Sequence, residues 1–349
     1  MGAPRKIMRF LSILLSVLVV CSASTVPLQS VTAQDADGQS RIAFVTADYD
    51  TREMTISLVD PDSGGVTTLV NEGNFFFPML SPDGRYLAFL GEHPTSRRRN
   101  LYVIGTDGSN LHPLIEVTSR TPLKPDGKVA WSADSTQILY GVRDRSRQPV
   151  GFFRVNLDGS DQEEIVFPDI TEPFYDTWIT SSPDGSHLAV FVQKIDPPYQ
   201  QLYIADADGS NAHPITETAA NGQPFDQLVW SPDNQHTLLN VNMGIAYEPL
   251  PLMIADGDGA NTEVLITPPP NYISSVSWSP DGSQIAFLAP ESALPELPDG
   301  EVYVANADGS GVRALNIAIN VAYVGTSWSM IPDEIVLLDT PTSFTGALE

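Results

Sequence analysis

Six arginines fall in two short stretches of the chain, Arg97-Arg98-Arg99 and Arg143, Arg145 and Arg147. The planar guanidinium fork matches carboxylate, phosphate and sulfate oxygens, so the chemistry on offer is recognition of an anion. The stretches stand out because the chain is acidic: 18 Lys+Arg against 43 Asp+Glu give a net charge of -25. Beyond position 33 there are 15 basic residues; 11 of them lie between Arg85 and Arg154, and only Lys194 and Arg313 follow. The six arginines are therefore the candidate binding residues, for an acidic protein patch, an acidic glycan or a lipid headgroup. The competing reading is a solvated charge run balanced by Asp144, Glu92 and the acidic remainder. An extended grip on DNA or RNA is not expected from so acidic a chain.

The other reactive side chains recur in step with one another. His112 and His213 each lie five residues after an Asp-Gly aspartate, and each is followed by proline. His187 and His236 each lie five residues after the serine of a recurring turn, and His93 alone has no counterpart. A group that recurs in phase reads as structural, whereas a catalytic group should be singular. No histidine cluster has metal-ligand spacing and no Ser-His-Asp set can be assembled. No catalytic residue, metal site or cofactor is therefore nominated. Asp206-Ala207-Asp208-Gly209-Ser210 starts like a calcium loop and has Glu217 at its twelfth position, but Asn211 stands where that loop needs glycine. The same carboxylates recur along the chain as turn formers, which is the preferred reading.

The N-terminus reads as a targeting segment. Arg5, Lys6 and Arg9 precede an uncharged apolar run over 10–20, and Val31-Thr32-Ala33 offers a small-residue cleavage site before Gln34. The run is too short for a membrane span, which needs about 20 apolar residues. An uncleaved anchor and an earlier cut near Ala23 are the alternatives, as is lipidation at Cys21. Against lipidation, Val20 occupies the place of the small residue that should precede such a cysteine. Cleavage after Ala33 leaves no cysteine and a net charge of -28.

A repeat of about fifty residues positions everything else. Ser81-Pro82-Asp83-Gly84 recurs at Ser182-Pro183-Asp184-Gly185 and at Ser279-Pro280-Asp281-Gly282, with weaker copies at Ser132, Ser231 and Ser329. The six serines are spaced 51, 50, 49, 48 and 50 residues apart. A second marker, Asp-Gly, falls at Asp107, Asp158, Asp208, Asp258 and Asp308, with Asp60-Pro61-Asp62-Ser63-Gly64 as a divergent copy. Ser-Pro-Asp-Gly suits a type I turn, and Asp-Gly, as in Asp208-Gly209, supplies the positive-φ residue of a tight hairpin. Runs such as 86–90, 101–104, 188–192, 202–205, 285–288 and 302–305 are rich in Ile, Val, Tyr and Phe and read as short strands. Four of the five tryptophans, Trp131, Trp230, Trp278 and Trp328, directly precede a marker serine, which implies one shared packing role.

Each period thus reads as four antiparallel strands: one ending in Trp-Ser, one after the Pro-Asp turn, one before Asp-Gly and one after it. The expected fold is all-β, a six-bladed β-propeller of four-stranded antiparallel blades, with a seventh partial blade as the alternative. The chain enters mid-repeat at 41–45 and leaves just past a Trp-Ser marker, so both termini should build one blade and remove a free sheet edge. Runs 41–45 and 334–338 share one phase, and either could close the ring. The expected organisation is a signal peptide over 1–33, a linker over 34–40, the propeller over 41–340 and a C-terminal tail over 341–349.

The pattern Trp278-Ser279-Pro280-Asp281-Gly282, then Ile285-Ala286-Phe287, then 302–310 ending in Asp308-Gly309-Ser310 resembles the TolB-type, WD-like propeller repeat. The resemblance covers essentially 41–340. It implies the propeller fold only: the N-terminal α/β domain of TolB has no room between Ala33 and Arg41, so roles in a Tol–Pal system are not carried over. Similar propellers precede the hydrolase domain of dipeptidyl-peptidase-like serine proteases, but no Gly-x-Ser-x-Gly elbow is present.

The Arg97–Arg99 and Arg143–Arg147 stretches both fall between the second and third strands of their blades, which places them side by side on one face. Pro197-Pro198-Tyr199, Phe174-Tyr175 before Trp178 and Tyr247-Glu248-Pro249 belong to loops of that face. The expected protein is an exported, monomeric, non-enzymatic module, periplasmic or extracellular, that binds a protein or acidic glycan. The alternative is a carbohydrate-active hydrolase or lyase with its site in the central channel.

Overall fold

The computed structural model describes residues 38–343, apart from 48–53, 94, 147–148, 171–175, 196–197, 216–224, 226, 241–250, 268–272, 274, 291–298, 321–326 and 333–341. The targeting segment with Cys21, the run 334–338, Arg147, and the loop residues Pro197, Phe174, Tyr175 and 247–249 lie outside the described residues.

The strands follow the repeat. Strands β1 (Gly38–Ala47), β2 (Met54–Val59) and β3 (Val66–Gly73) open the chain. The second blade is β4 (Phe75–Leu80), β5 (Tyr86–Glu92), β6 (Arg99–Gly105) and β7 (His112–Ile115). The third is β8 (Lys124–Trp131), β9 (Gln137–Arg143), β10 (Pro149–Asn156) and β11 (Glu163–Ile165). The fourth is β12 (Asp176–Ser181), β13 (His187–Ile195), β14 (Pro198–Asp206) and β15 (His213–Pro214). The fifth is β16 (Gln227–Trp230), β17 (His236–Asn240), β18 (Leu252–Asp256) and β19 (Glu263–Ile266). The sixth is β20 (Ser275–Trp278), β21 (Gln284–Pro290), β22 (Asp299–Asn306) and β23 (Arg313–Asn320), after which β24 (Ser327–Pro332) and β25 (Thr342–Ser343) end the chain.

Each blade is an antiparallel meander in sequence order. The first is completed from the far end of the chain, where β24 pairs antiparallel with β1 and Trp328 stands opposite Ile42. The molecule is therefore the expected six-bladed all-β propeller closed by both termini, and of the two runs that share a phase, the one beginning at Arg41 takes the second-strand position. The stretch expected as a tail adds something further. Thr342 and Ser343 pair in parallel with Val70 and Asn71, so β25 covers the outer edge of β3.

One hydrogen-bond network explains the serine marker. In five blades the residue three after the serine donates its N–H to the serine carbonyl, at 2.9–3.0 Å for Ser81, Ser132, Ser182, Ser231 and Ser279. The serine hydroxyl donates to the following Asp carboxylate at 2.5–2.7 Å in every one of these turns. The fourth residue of the turn has positive φ: Gly84, Gly185 and Gly282 near +70°, but Ser135 at +60° and Asn234 at +58°. Asn234 also has a buried Oδ1 without a partner. Asn234→Gly is therefore expected to stabilise the fold by roughly 1 kcal/mol, since glycine takes this φ freely and removes the orphaned oxygen. Urea melts of the two proteins check this, and a lower midpoint for the variant refutes it.

The same bonds tune acidity. Asp184 accepts from the Ser186 N–H, the Ser186 hydroxyl and the Ser182 hydroxyl, which together hold its carboxyl down to about 2. Hydroxyl and backbone donors lower Asp134, Asp158, Asp208 and Asp308 in the same way. A carboxyl that is more acidic folded than unfolded stabilises the fold above the unfolded value and loses that contribution as pH falls towards the folded one. Thermal stability should therefore decline from about pH 4 down to about pH 2, and less steeply in Asp184→Asn. A melting temperature independent of pH across this window would contradict the assignment.

The core lies between blades. Among the described residues, six hydrophobic clusters each bridge two neighbouring blades, for example Val45, Ile56, Phe75, Phe89 and Tyr102 between the first and second. The tryptophans do not all share one role. Trp131 donates its Nε1–H to the Met79 carbonyl and Trp278 to that of Val229, each reaching the preceding blade. Trp230 instead donates to Gly257 of its own blade, and the Trp328 side chain lies outside the described residues. The Asp-Gly hairpins press on the preceding blade as well: a Cβ at Gly209 would stand 2.2 Å from the Val166 carbonyl oxygen, and one at Gly309 would stand 2.4 Å from that of Leu265.

Candidate functional site

A four-stranded meander places its first and third connections at one face of the ring and its second, with the link to the next blade, at the other. The serine and Asp-Gly turns thus share one face. The β5–β6 and β9–β10 hairpins, with Arg97, Arg98, Arg99, Arg143 and Arg145, lie on the opposite face, as do the connections between blades.

His93, the histidine without a counterpart, organises the first hairpin. Its Nδ1 accepts from the N–H groups of Thr95 and Ser96 at 3.3 Å, its own N–H donates to the Arg98 carbonyl, and its carbonyl accepts from the Arg97 N–H. Arg97 sits at φ +53° and is exposed, at the tip of the loop so formed. Arg98 and Arg99 are half-buried. Arg99 opens β6 opposite Glu92, and its guanidinium lies 4.1 Å from the centre of the Phe76 ring. The arginine is thereby held by a cation–π contact instead of sweeping through solvent.

In the next blade, Arg143 ends β9 directly opposite Lys124, the first residue of β8. Arg145 donates from Nη2 to the Arg120 carbonyl at 2.9 Å, which ties its hairpin to the connection between the two blades. Five of the six nominated arginines are thus placed on one face of two adjacent blades, and the sixth, Arg147, is outside the described residues. Arg120 and Lys124 join them; a count of basic residues between positions 85 and 154 contains both, but only strand register sets Lys124 against Arg143. The acids of this face have local partners too: Glu92 accepts from the Asn74 amide at 3.2 Å, and Asp144 accepts from the Ser146 N–H at 2.8 Å.

Ser81, Asp83 and Gly84, like Ser279, Asp281 and Gly282, form the marker turns, and Pro82 and Pro280 sit beside them. Asp208 accepts from both the N–H and the hydroxyl of Ser210, and Asp206 accepts from the Asn211 amide, so these carboxylates are engaged within the hairpin. His112 and His213, matched by phase, both direct Nδ1 to the carbonyl two residues before them.

A second candidate is the central channel. Strands β4, β8, β12, β16 and β20 are each paired on one side only, and their other edges surround a cavity of about 320 Å³. Trp131, Trp178, Trp230 and Trp278 line it together with Pro82, Pro183, Pro232 and Pro280, and no ionisable side chain is among the described lining residues.

No family model and no curated protein matches the chain. Solved structures do share its fold. TolB from Acinetobacter baumannii superposes with a TM-score of 0.65 at 17% identity, over 84% of this chain and 67% of that one. A chain of a nidogen/laminin complex gives 0.59 at 9% identity, over 84% and 99%. Oligogalacturonate lyase in complex with manganese gives 0.52 at 17% identity, over 80% and 81%. The likeness is to the propeller architecture that TolB carries, and it extends to proteins that differ widely in what they do.

Proposed function

We propose that this chain is an exported, non-enzymatic propeller that recognises an acidic protein or acidic glycan through the face carrying the β5–β6 and β9–β10 hairpins. The observation that carries the reading is the grouping of Arg97, Arg98, Arg99, Arg143 and Arg145 with Arg120 and Lys124 on adjacent blades of a chain with a net charge of -25. The TolB-like fold supports a binding or scaffolding role, and the nidogen/laminin neighbour comes from a complex of proteins. The lyase neighbour keeps the enzyme reading in view, but the described channel lining suits contact better than proton transfer.

The test is titration of poly-L-glutamate and of polygalacturonate into the wild-type protein and into a variant with all six nominated arginines changed to Gln. Binding should weaken about tenfold or more in the variant, and wild-type binding should weaken with added salt as exposed charges are screened. Equal affinities for the two proteins would remove this face from consideration.

A further inference from the structure

We propose that the channel cavity is a separate binding site, for a small uncharged ligand with an apolar body and one hydrogen-bond acceptor. Three observations converge on this. The cavity of about 320 Å³ lies at the small end of ligand pockets, which run from about 300 to 1,000 Å³. Its described lining holds four tryptophans, four prolines and no charge, so a charged ligand would be desolvated there without compensation. The marker hydroxyls that reach it are already spent, because Ser81, Ser182 and Ser279 each donate to the aspartate of their own turn.

Ser277 is the exception. It lines the cavity, is only 7% exposed, and its Oγ has no hydrogen-bond partner. Its place in the repeat, two residues before the marker serine, is held by Met79, Ala130, Thr180 and Val229 in four other blades and by a second serine, Ser327, in the first. The blade therefore does not require a serine there. An unpaired buried hydroxyl destabilises a fold; the Ser277 Oγ is covered by its surroundings, and turning it about Cα–Cβ into the cavity would let a ligand acceptor satisfy it. The free edges of the inner strands add backbone groups to the wall, which leaves room for a second polar contact but not for an ionic one.

N-phenyl-1-naphthylamine, an uncharged apolar fluorophore, serves as probe, with 8-anilinonaphthalene-1-sulfonate as its anionic counterpart. The wild-type protein should bind the neutral probe saturably and bind the anionic one at least tenfold more weakly. Ser277→Ala should weaken a neutral competitor bearing an acceptor, cyclohexanone, by about five- to tenfold, the worth of one hydrogen bond. The unliganded variant should melt at the wild-type temperature or above it, an outcome that a structural role for the hydroxyl would reverse. Val229→Phe fills the cavity from a partly exposed position and should abolish neutral-probe binding while circular dichroism stays unchanged. The proposal is overturned if the neutral probe does not bind the wild type, if Val229→Phe still binds it, if the anionic probe binds equally well, or if Ser277→Ala leaves the competitor unaffected. None of these outcomes depends on the arginine face.

Discussion

A chain cut after residue 326 is expected to lose several kcal/mol, a large part of the roughly 5–15 kcal/mol that holds a domain together. The cut removes β24, whose residues stand opposite β1 from Gly38↔Pro332 to Ala43↔Ser327. It leaves Ile42, Ala43 and Phe44, all at most 1% exposed, on a strand with an open edge. It also opens the cluster in which Ile42, Phe44 and Val59 pack against Ala286, Val302, Val304 and Leu315 of the sixth blade. An apolar open edge invites pairing with other chains, so aggregation should accompany the lower melting temperature. A permuted chain that starts at Ser327 and joins Pro332 to Gly38 by a short linker keeps every strand pair but the two-residue β25–β3 one, because Pro332 and Gly38 are partners in register. That permutant should melt close to the parent. A truncated protein that unfolds at the parent temperature would mean that ring closure contributes little.

Gly209→Ala is expected to cost about 3 kcal/mol or more, near the upper end for single substitutions. Two effects add. At φ +87° an L-residue is strained by roughly 1–2 kcal/mol, and the new methyl would stand 2.2 Å from the Val166 carbonyl oxygen and 3.0 Å from its carbon. That neighbour is backbone of the preceding blade, so relieving the overlap means moving two blades apart. Gly64→Ala separates the terms: its φ is +70°, but the nearest atom would be 3.6 Å away, so only about 1 kcal/mol of conformational cost is expected. Urea denaturation of both variants measures the difference. If the two substitutions cost the same, the contact between blades has no energetic weight.

The contrast between these glycines shows where reading residues in order succeeds and where it stops. Ser-Pro-Asp-Gly and Asp-Gly build turns from neighbours in sequence, so blade number, blade phase and ring closure were all legible from their spacing. The pairing of His112 with His213 was legible for the same reason. Contacts across blades are a different matter. That Trp230 bonds within its own blade while Trp131 and Trp278 reach the one before depends on backbone some 27 to 52 residues distant. His93 looked merely out of phase, yet it caps the hairpin that presents Arg97. The two arginine stretches were visible as letters, but their company, Arg120 and Lys124, follows from strand register and from one long-range bond to a carbonyl. The short parallel strand β25 carries no motif at all, because two residues suffice to make it.

The separation of the two kinds of turn has an electrical consequence. Aspartates of the marker and Asp-Gly turns gather on one face, and hydrogen bonds keep several of them ionised into acid. The arginine hairpins occupy the opposite face. These two sets of charges point from the aspartate turns towards the arginine hairpins of the second and third blades, so an anionic surface is expected to exert a torque on the ring before any contact forms. Within the roughly 8–10 Å over which charges are felt at physiological salt, the protein is expected to meet such a surface already turned, arginines first.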